Sequence, residues 1–182
     1  MSTNYQFTNS DGLYFTTSTI INWIDIFTKP VYKHIIVSSL DYCIKQKGLQ
    51  LHAWVLMSNH LHMIISRNSK FELFEIMRDF KKFTAKQIIE TIQLENESRQ
   101  KWILSELSFA AKVSTRHENF RVWQDGNHAI ELTDNEIMQQ KLEYIHSNPV
   151  KAEWVNEPHH FKYSSATDYA SAQGLLPITF LD

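Results

Sequence analysis

Between residues 49 and 66 the chain holds two apolar runs rich in β-branched and aromatic residues, separated only by Ser58-Asn59, a pair suited to a tight turn. This stretch predicts an antiparallel hairpin of strands 49–57 and 60–66, around which the rest must pack. The second strand opens on His60-Leu61-His62. A strand projects alternate side chains from one face, so His60, His62 and Ile64 share one side and Leu61, Met63 and Ile65 the other. The first face is expected to be functional and the second packed. Two imidazoles on one side can hold a divalent ion, although ordinary half-exposed strand histidines, His52 among them, give the same pattern.

A second constellation adds weight to the first. Residues 142–150 place Tyr144 and Asn148 four apart near a helix end, about one turn, so both can face the same neighbour. If that neighbour is the histidine strand, two neutral imidazoles and an amide oxygen leave several positions open on Mg2+ or Mn2+ for phosphate oxygens and water. The metal then acts as a Lewis acid. A phenol is a poor nucleophile until a base, cation or metal favours the phenolate. In-line attack by Tyr144 on a DNA phosphate gives a phosphotyrosine link and frees a sugar hydroxyl, which keeps the bond energy for rejoining. A tyrosine there therefore points to strand transfer rather than digestion. A rim residue packed on the core is the alternative for Tyr144. His146, turned about a hundred degrees away on the wheel, is expected at the surface or on a phosphate.

Around these motifs the pattern predicts a strand at 13–21, a helix at 30–47 opening on Pro30 and broken by Gly48, and one long or two short helices at 69–94. Residues 95–100 are polar and linking, 102–113 extend the helical region, and 114–119 form a loop. Residues 120–123 have strand character, and a turn at Gly126 leads to a short apolar segment at 129–132. A helix follows with Thr133 as N-cap, Glu136 at capping-box spacing, and Ile137, Met138, Leu142 and Ile145 as its buried stripe. Pro149 is expected to stop it.

The chain's 182 residues, 43% hydrophobic and 13% aromatic, suffice for one core. They are read as a single domain over 1–182, with a core at about 13–150 and a tail at 151–182 packed on it. No apolar run approaches the roughly 20 residues that span a bilayer, and the polar start does not resemble a secretory signal. With Cys43 as the one cysteine, an intrachain disulfide is excluded and a soluble, cytoplasmic protein is expected.

A net charge of −2 argues against indiscriminate coating of nucleic acid. The cations nevertheless cluster: Arg78, Lys81, Lys82 and Lys86 first, then Arg99, Lys101, Lys112, Arg116 and Arg121. A solvated helix face gives the same run. Read as a DNA surface, Lys81, Lys82 and Lys86 follow the backbone beside Arg121, while Trp123, Phe120 and Tyr163 supply stacking platforms for unpaired bases.

Residues 57–65, Met-Ser-Asn-His-Leu-His-Met-Ile-Ile, resemble the M-P-N-H-h-H-h-h strand of the HUH single-strand transposases, with Ser58 where proline is usual. Residues 144–152, Tyr-Ile-His-Ser-Asn-Pro-Val-Lys-Ala, resemble the Y-I-h-x-N-P-V-R-A block of the branch associated with repetitive extragenic palindromes (REP), the REP-associated tyrosine transposases. Phe80 to Thr84, Phe120 to Gln124 and Tyr163 to Ser165 are similar to that branch as well, so the likeness spans roughly 13 to 170. It implies an α+β, ferredoxin-like domain with a central antiparallel sheet and bacterial origin. It also implies Mg2+ or Mn2+ held by His60 and His62, and Tyr144 as nucleophile on single-stranded DNA folded into hairpins, the palindromic repeats. Asn148 takes the third-ligand place where insertion-sequence members carry glutamine, and Lys151 stands where arginine is common, keeping charge but changing phosphate geometry. Insertion-sequence relatives are dimers and branch members can be monomers, which implies a monomer or homodimer.

Three readings follow. The first is a metal-dependent DNA strand transferase acting through Tyr144. The others are a catalytically silent DNA-binding regulator of the same fold and a metal-dependent nuclease using water.

Overall fold

The computed structural model describes residues 6–95, 97–114 and 119–181. The predicted hairpin is present as β2 (Leu49–Leu56) and β3 (His60–Arg67). With β1 (Tyr14–Thr19) and the two-residue β4 (Ile130–Glu131), they form a four-stranded antiparallel sheet in the order β2-β3-β1-β4. Helix α1 (Pro30–Lys47) joins β1 to β2, and α2 (Leu73–Leu94) and α3 (Gln100–Lys112) lie between β3 and β4. This is the ferredoxin-like βαββαβ plan with one helix inserted. Helix α4 (Asn135–Lys151) and the short α5 (Ala166–Tyr169) follow.

Local chemistry sets the boundaries. Pro30 starts α1 at a position where its missing N–H is not needed. Gly48 ends it at φ 69°, and a Cβ there would lie 2.4 Å from Ser69 Cβ, so the site takes only glycine. One long helix occupies the second helical region. Its start is fixed by Glu72, which exchanges side-chain and backbone hydrogen bonds with Glu75.

Both sheet faces are packed, the expected functional face included. Leu61, Met63 and Ile65 meet Ile36 and Leu40 of α1, Ile76 and Phe80 of α2, and Leu107 of α3 in the larger core. On the opposite face Phe15, Val55 and Ile64 are covered by Met138, Leu142 and Ile145 of α4. Only the start of β3 on that side remains open.

Three readings of α4 need correction. Its N-cap is Asp134, whose side chain accepts from Ile137 N–H, so the residue three places on is apolar and Glu136 cannot complete a capping box. Ile137 lies about 100° from Met138 on the helical wheel and falls outside the stripe, 37% exposed, while Met138, Leu142 and Ile145 stay buried. Nor does Pro149 stop the helix: it lies buried inside the final turn, where it forfeits one donor, and the helix runs on to Lys151.

The segment at 120–123 is not a strand; only Trp123 bridges, to Ile20. The expected loop at 114–119 and Arg116 fall largely outside the described residues. The C-terminal segment covers the free edge of β2: Leu56 N–H donates to Tyr163 O, Ser165 N–H to Trp54 O, and Thr179 N–H to Leu51 O. This protects an edge that would otherwise template foreign pairing. Among the described residues no helix is long and apolar enough to cross a membrane.

Candidate active site

His60 and His62 face α4 from the first turn-side residues of β3, with ring centroids 4.7 Å apart. Strand register holds them there, because Thr19 lies opposite His60 and Thr17 opposite His62. Thr17 Oγ1 is 2.8 Å from His62 Nδ1, a contact that direct cross-strand pairing makes available. Asn59 serves His60. Its amide nitrogen donates to Trp23 O, which turns Oδ1 toward His60 Nδ1 at 2.6 Å. An amide oxygen only accepts, so His60 carries its proton on Nδ1 and keeps the Nε2 lone pair.

Burial lowers the basicity of both rings. His60 falls below its ordinary value through desolvation. His62 drops to about 3, through burial first and then through the charges of His60 and Lys141. Neutral imidazoles with Nδ1 engaged and Nε2 open have the form that binds metal, with Thr17 and Asn59 as orienting partners.

Tyr144 arrives from α4. Its ring stands edge-on to His62 at 5.2 Å and to Phe15 at 5.9 Å, while Phe15 stacks on His62 at 5.4 Å. Residues 82 positions apart thus meet in one cluster, with Tyr144 40% exposed and open to a substrate. Two cations flank the phenol from the same helix. Lys141 Nζ lies 5.8 Å from the Tyr144 centroid and 5.0 Å from that of Phe15, and Lys151 Nζ lies 5.6 Å from the Tyr144 centroid.

Asn148 sits one turn beyond Tyr144 and its amide nitrogen donates back to Tyr144 O at 2.6 Å. That bond directs the NH2 to the helix and leaves the amide oxygen as its remaining donor atom. Among the described residues no group of three His, Cys, Asp or Glu side chains could hold a metal. A divalent ion at the two imidazole nitrogens would have to complete its coordination with neutral oxygens such as an amide or water.

Residues 19–148 match the model of the family described as Transposase IS200 like. The chain belongs to that family. Seven chains of solved structures match this transposase. One is described as a REP-associated tyrosine transposase bound to a REP hairpin; it is 19% identical over all of this chain and 92% of its own, with a TM-score of 0.62. Another, a candidate transposase from Deinococcus radiodurans R1, is 12% identical over 79% of this chain and 92% of its own, with a TM-score of 0.46. No curated protein matches. The first likeness supports the fold described above.

The transposase's expected DNA contacts separate into two groups. Arg78, Lys81, Lys82 and Lys86 line a groove of about 970 Å³ between α2 and residues 119–127. Within it Arg78 pairs with Asp79, Lys86 approaches Glu90, and Lys81 donates to Gly126 O. Burial brings the Lys81 ammonium down to about 8. Lys82 is exposed and makes no ion pair among the described residues.

Trp123 and Arg121 are corrected. Trp123 is 5% exposed, donates from Nε1 to Thr84 Oγ1 and packs against Phe27 and Phe80, so its ring is core rather than platform. Arg121 is held by Asp125 at 2.9 Å with its side chain 15% exposed. Tyr163 lies beneath Lys33. His146 is corrected too: Nε2 meets Ser165 Oγ at 2.9 Å and the ring packs on Tyr169, so it anchors α4 rather than facing solvent or phosphate.

The sequence reading missed Thr17, Asn59, Lys141 and Trp23 at the site. A cation three residues before Tyr144 was a readable signal for Lys141. The others depend on strand register and on a loop that no glycine or proline marks.

Proposed function

We propose that this chain is a metal-dependent transposase that cleaves and rejoins hairpin-bearing single-stranded DNA through a covalent 5′-phosphotyrosine intermediate formed by Tyr144. The observation that carries this reading is the 5.2 Å approach of the Tyr144 ring to His62. A water-using nuclease needs no tyrosine there, and a silent binder needs neither tyrosine nor paired imidazoles. The description of the structural neighbour as hairpin-bound supports the choice of substrate.

His60 and His62, with the Asn148 amide oxygen, would hold Mg2+ or Mn2+. When bound, the ion supplies Lewis-acid polarisation of the phosphoryl group. Imidazole nitrogens favour Mn2+ over Mg2+ in affinity. The chain's own residues do the rest. Tyr144 Oη attacks phosphorus, a P–Oη bond forms, the P–O3′ bond breaks, and the proton lost by the phenol is balanced by one gained at the departing 3′ oxygen. Lys141 and Lys151 flank this reaction and offset the charge that accumulates on the phosphoryl oxygens. Rejoining is the reverse attack by another 3′ hydroxyl, so no bond energy is lost to water.

The test is incubation of wild type and Tyr144→Phe with hairpin-bearing oligonucleotides and Mn2+ or Mg2+, followed by a denaturing gel. Wild type should give a protein-linked band that Tyr144→Phe lacks, with hairpin binding retained. Equal cleavage by the variant would establish a water nucleophile, and no cleavage by wild type with either ion would leave a binding protein.

A further inference from the structure

Immediately after β1 the backbone does something the sequence does not announce. Asn22 and Trp23 both adopt left-handed geometry, at φ 52° and 56°. Neither is glycine, and two such residues in succession carry strain that the surroundings must hold in place. The supports are visible. Asn22 Nδ2 donates to Glu106 Oε2 of α3, Trp23 N–H donates to Ile20 O, and Trp23 O accepts from Asn59. Asn59 is the residue that orients His60, so one amide ties the loop to the histidine.

The strain does not bury the indole. Trp23 is 59% exposed, and its ring stands edge-on to His60 with centroids 5.9 Å apart. A large apolar ring is thus held in solvent by a strained turn, against His60, while Tyr144 stands against His62. Hydrophobic burial alone would have favoured the opposite arrangement.

We propose that Trp23 is a base-stacking residue, taking the face of an unpaired nucleobase next to the scissile phosphate and so positioning the single strand over His60. The inference deepens the transposase reading and rests on it for the identity of the substrate. Stacking on an aromatic face is tolerant of sequence, because every base offers a π-face. Trp23 therefore sets where the strand lies rather than which base is read. Its alignment with the imidazoles makes it a positioning residue; the bonds that change are at phosphorus.

The test uses Tyr144→Phe protein, which holds the strand without cutting it, and hairpin oligonucleotides carrying 2-aminopurine at successive unpaired positions flanking the cut. One position should be quenched on binding. In a Trp23→Asn, Tyr144→Phe protein that quench should vanish and affinity fall by about tenfold to a hundredfold. Asparagine tolerates left-handed geometry, so the loop keeps its shape, and Trp23→Phe should restore part of both signals. An abasic residue at the quenched position should weaken binding to Tyr144→Phe while leaving the double variant unaffected. Unchanged quenching in the double variant overturns the proposal, as does a loss of affinity matched by an abasic penalty that persists. A changed sedimentation coefficient with unchanged DNA binding also overturns it, assigning the ring to self-association. Failure of the transposase reading is separate: it appears as cleavage by Tyr144→Phe once Mn2+ is added, whereas the quenching experiment is run without added metal.

Discussion

Lys141 has the most consequential surroundings of any single side chain near Tyr144. It makes no ion pair among the described residues, its ammonium stands over the rings of Phe15 and Tyr144, and its charge depresses His62. An ammonium left without a carboxylate beside an exposed phenol is placed for an anionic ligand. Lys141→Ala is expected to lower the single-turnover cleavage rate by about 100-fold, while hairpin affinity measured with uncleaved substrate changes much less. Equal losses in rate and affinity would make it an ordinary backbone contact. The histidine pair and Tyr144 were legible in the sequence because a strand period of two and a helical turn are properties of the chain itself. Trp123 was misread because an aromatic residue among cations reads alike whether it floors a groove or rims it. Only packing against Phe27 and Phe80 decides that.

The elements show the same division between local and tertiary signals. Helix α1 and the β2–β3 hairpin follow from proline, glycine and alternation, and the structure matches them almost residue for residue. The cap of α4 is local too, but Asp134 stands next to Thr133 and either residue type can serve. The passage of α4 through Pro149 does not follow in this way, because tertiary contacts hold that helix in place. Chief among these is Ser165, fully buried, which accepts from Trp54 N–H and meets His146 Nε2. Ser165→Ala leaves the buried Trp54 N–H and the half-buried His146 Nε2 without this partner and is expected to cost about 1–3 kcal/mol in urea unfolding. Cleavage should fall as well, since α4 carries Tyr144. Strand β2 contains its own pH-sensitive element. The pairing register slips between Leu51 and Ala53, and His52 at that slip is 8% exposed with Nε2 2.8 Å from Ser66 Oγ. Burial holds His52 below its ordinary 6.5. The unfolded chain therefore binds the proton first, so the stability from neutral His52 is fully present above that value and is lost as the pH falls below it. Unfolding free energies at pH 7.5 and 5.5 should converge in His52→Gln relative to wild type. An unaltered difference would remove His52 from acid sensitivity.

At the scale of the whole molecule the groove and the histidine pair are connected. Asn127, on the groove wall, accepts from Thr17 N–H, and Thr17 is the residue whose hydroxyl touches His62. Val122, in the same wall, accepts from Ile21 N–H beside Trp23. The groove and the start of β3 thus share one wall, and a nucleic acid lying along α2 would have to follow it to reach the histidines. Net charge of −2 conceals this path, because the groove's cations are offset by acids elsewhere. The groove's cations are also unequal. Lys81 is spent on the Gly126 turn, while Lys82 is exposed and without an ion pair among the described residues. A phosphate contact releases counterions, so each one adds to the salt dependence of binding. Lys82→Gln should therefore reduce the slope of log affinity against log salt by about one unit and weaken binding equally across hairpin sequences. Lys81→Gln should act differently: its ammonium is already donating to the protein, so the slope should change little while thermal stability falls with the loosened turn. Fluorescence anisotropy titrations between low and physiological salt, run beside thermal melts, separate the two. If Lys82→Gln leaves the slope intact, the DNA does not enter along α2, and its route to the paired histidines must lie on the side of Lys151.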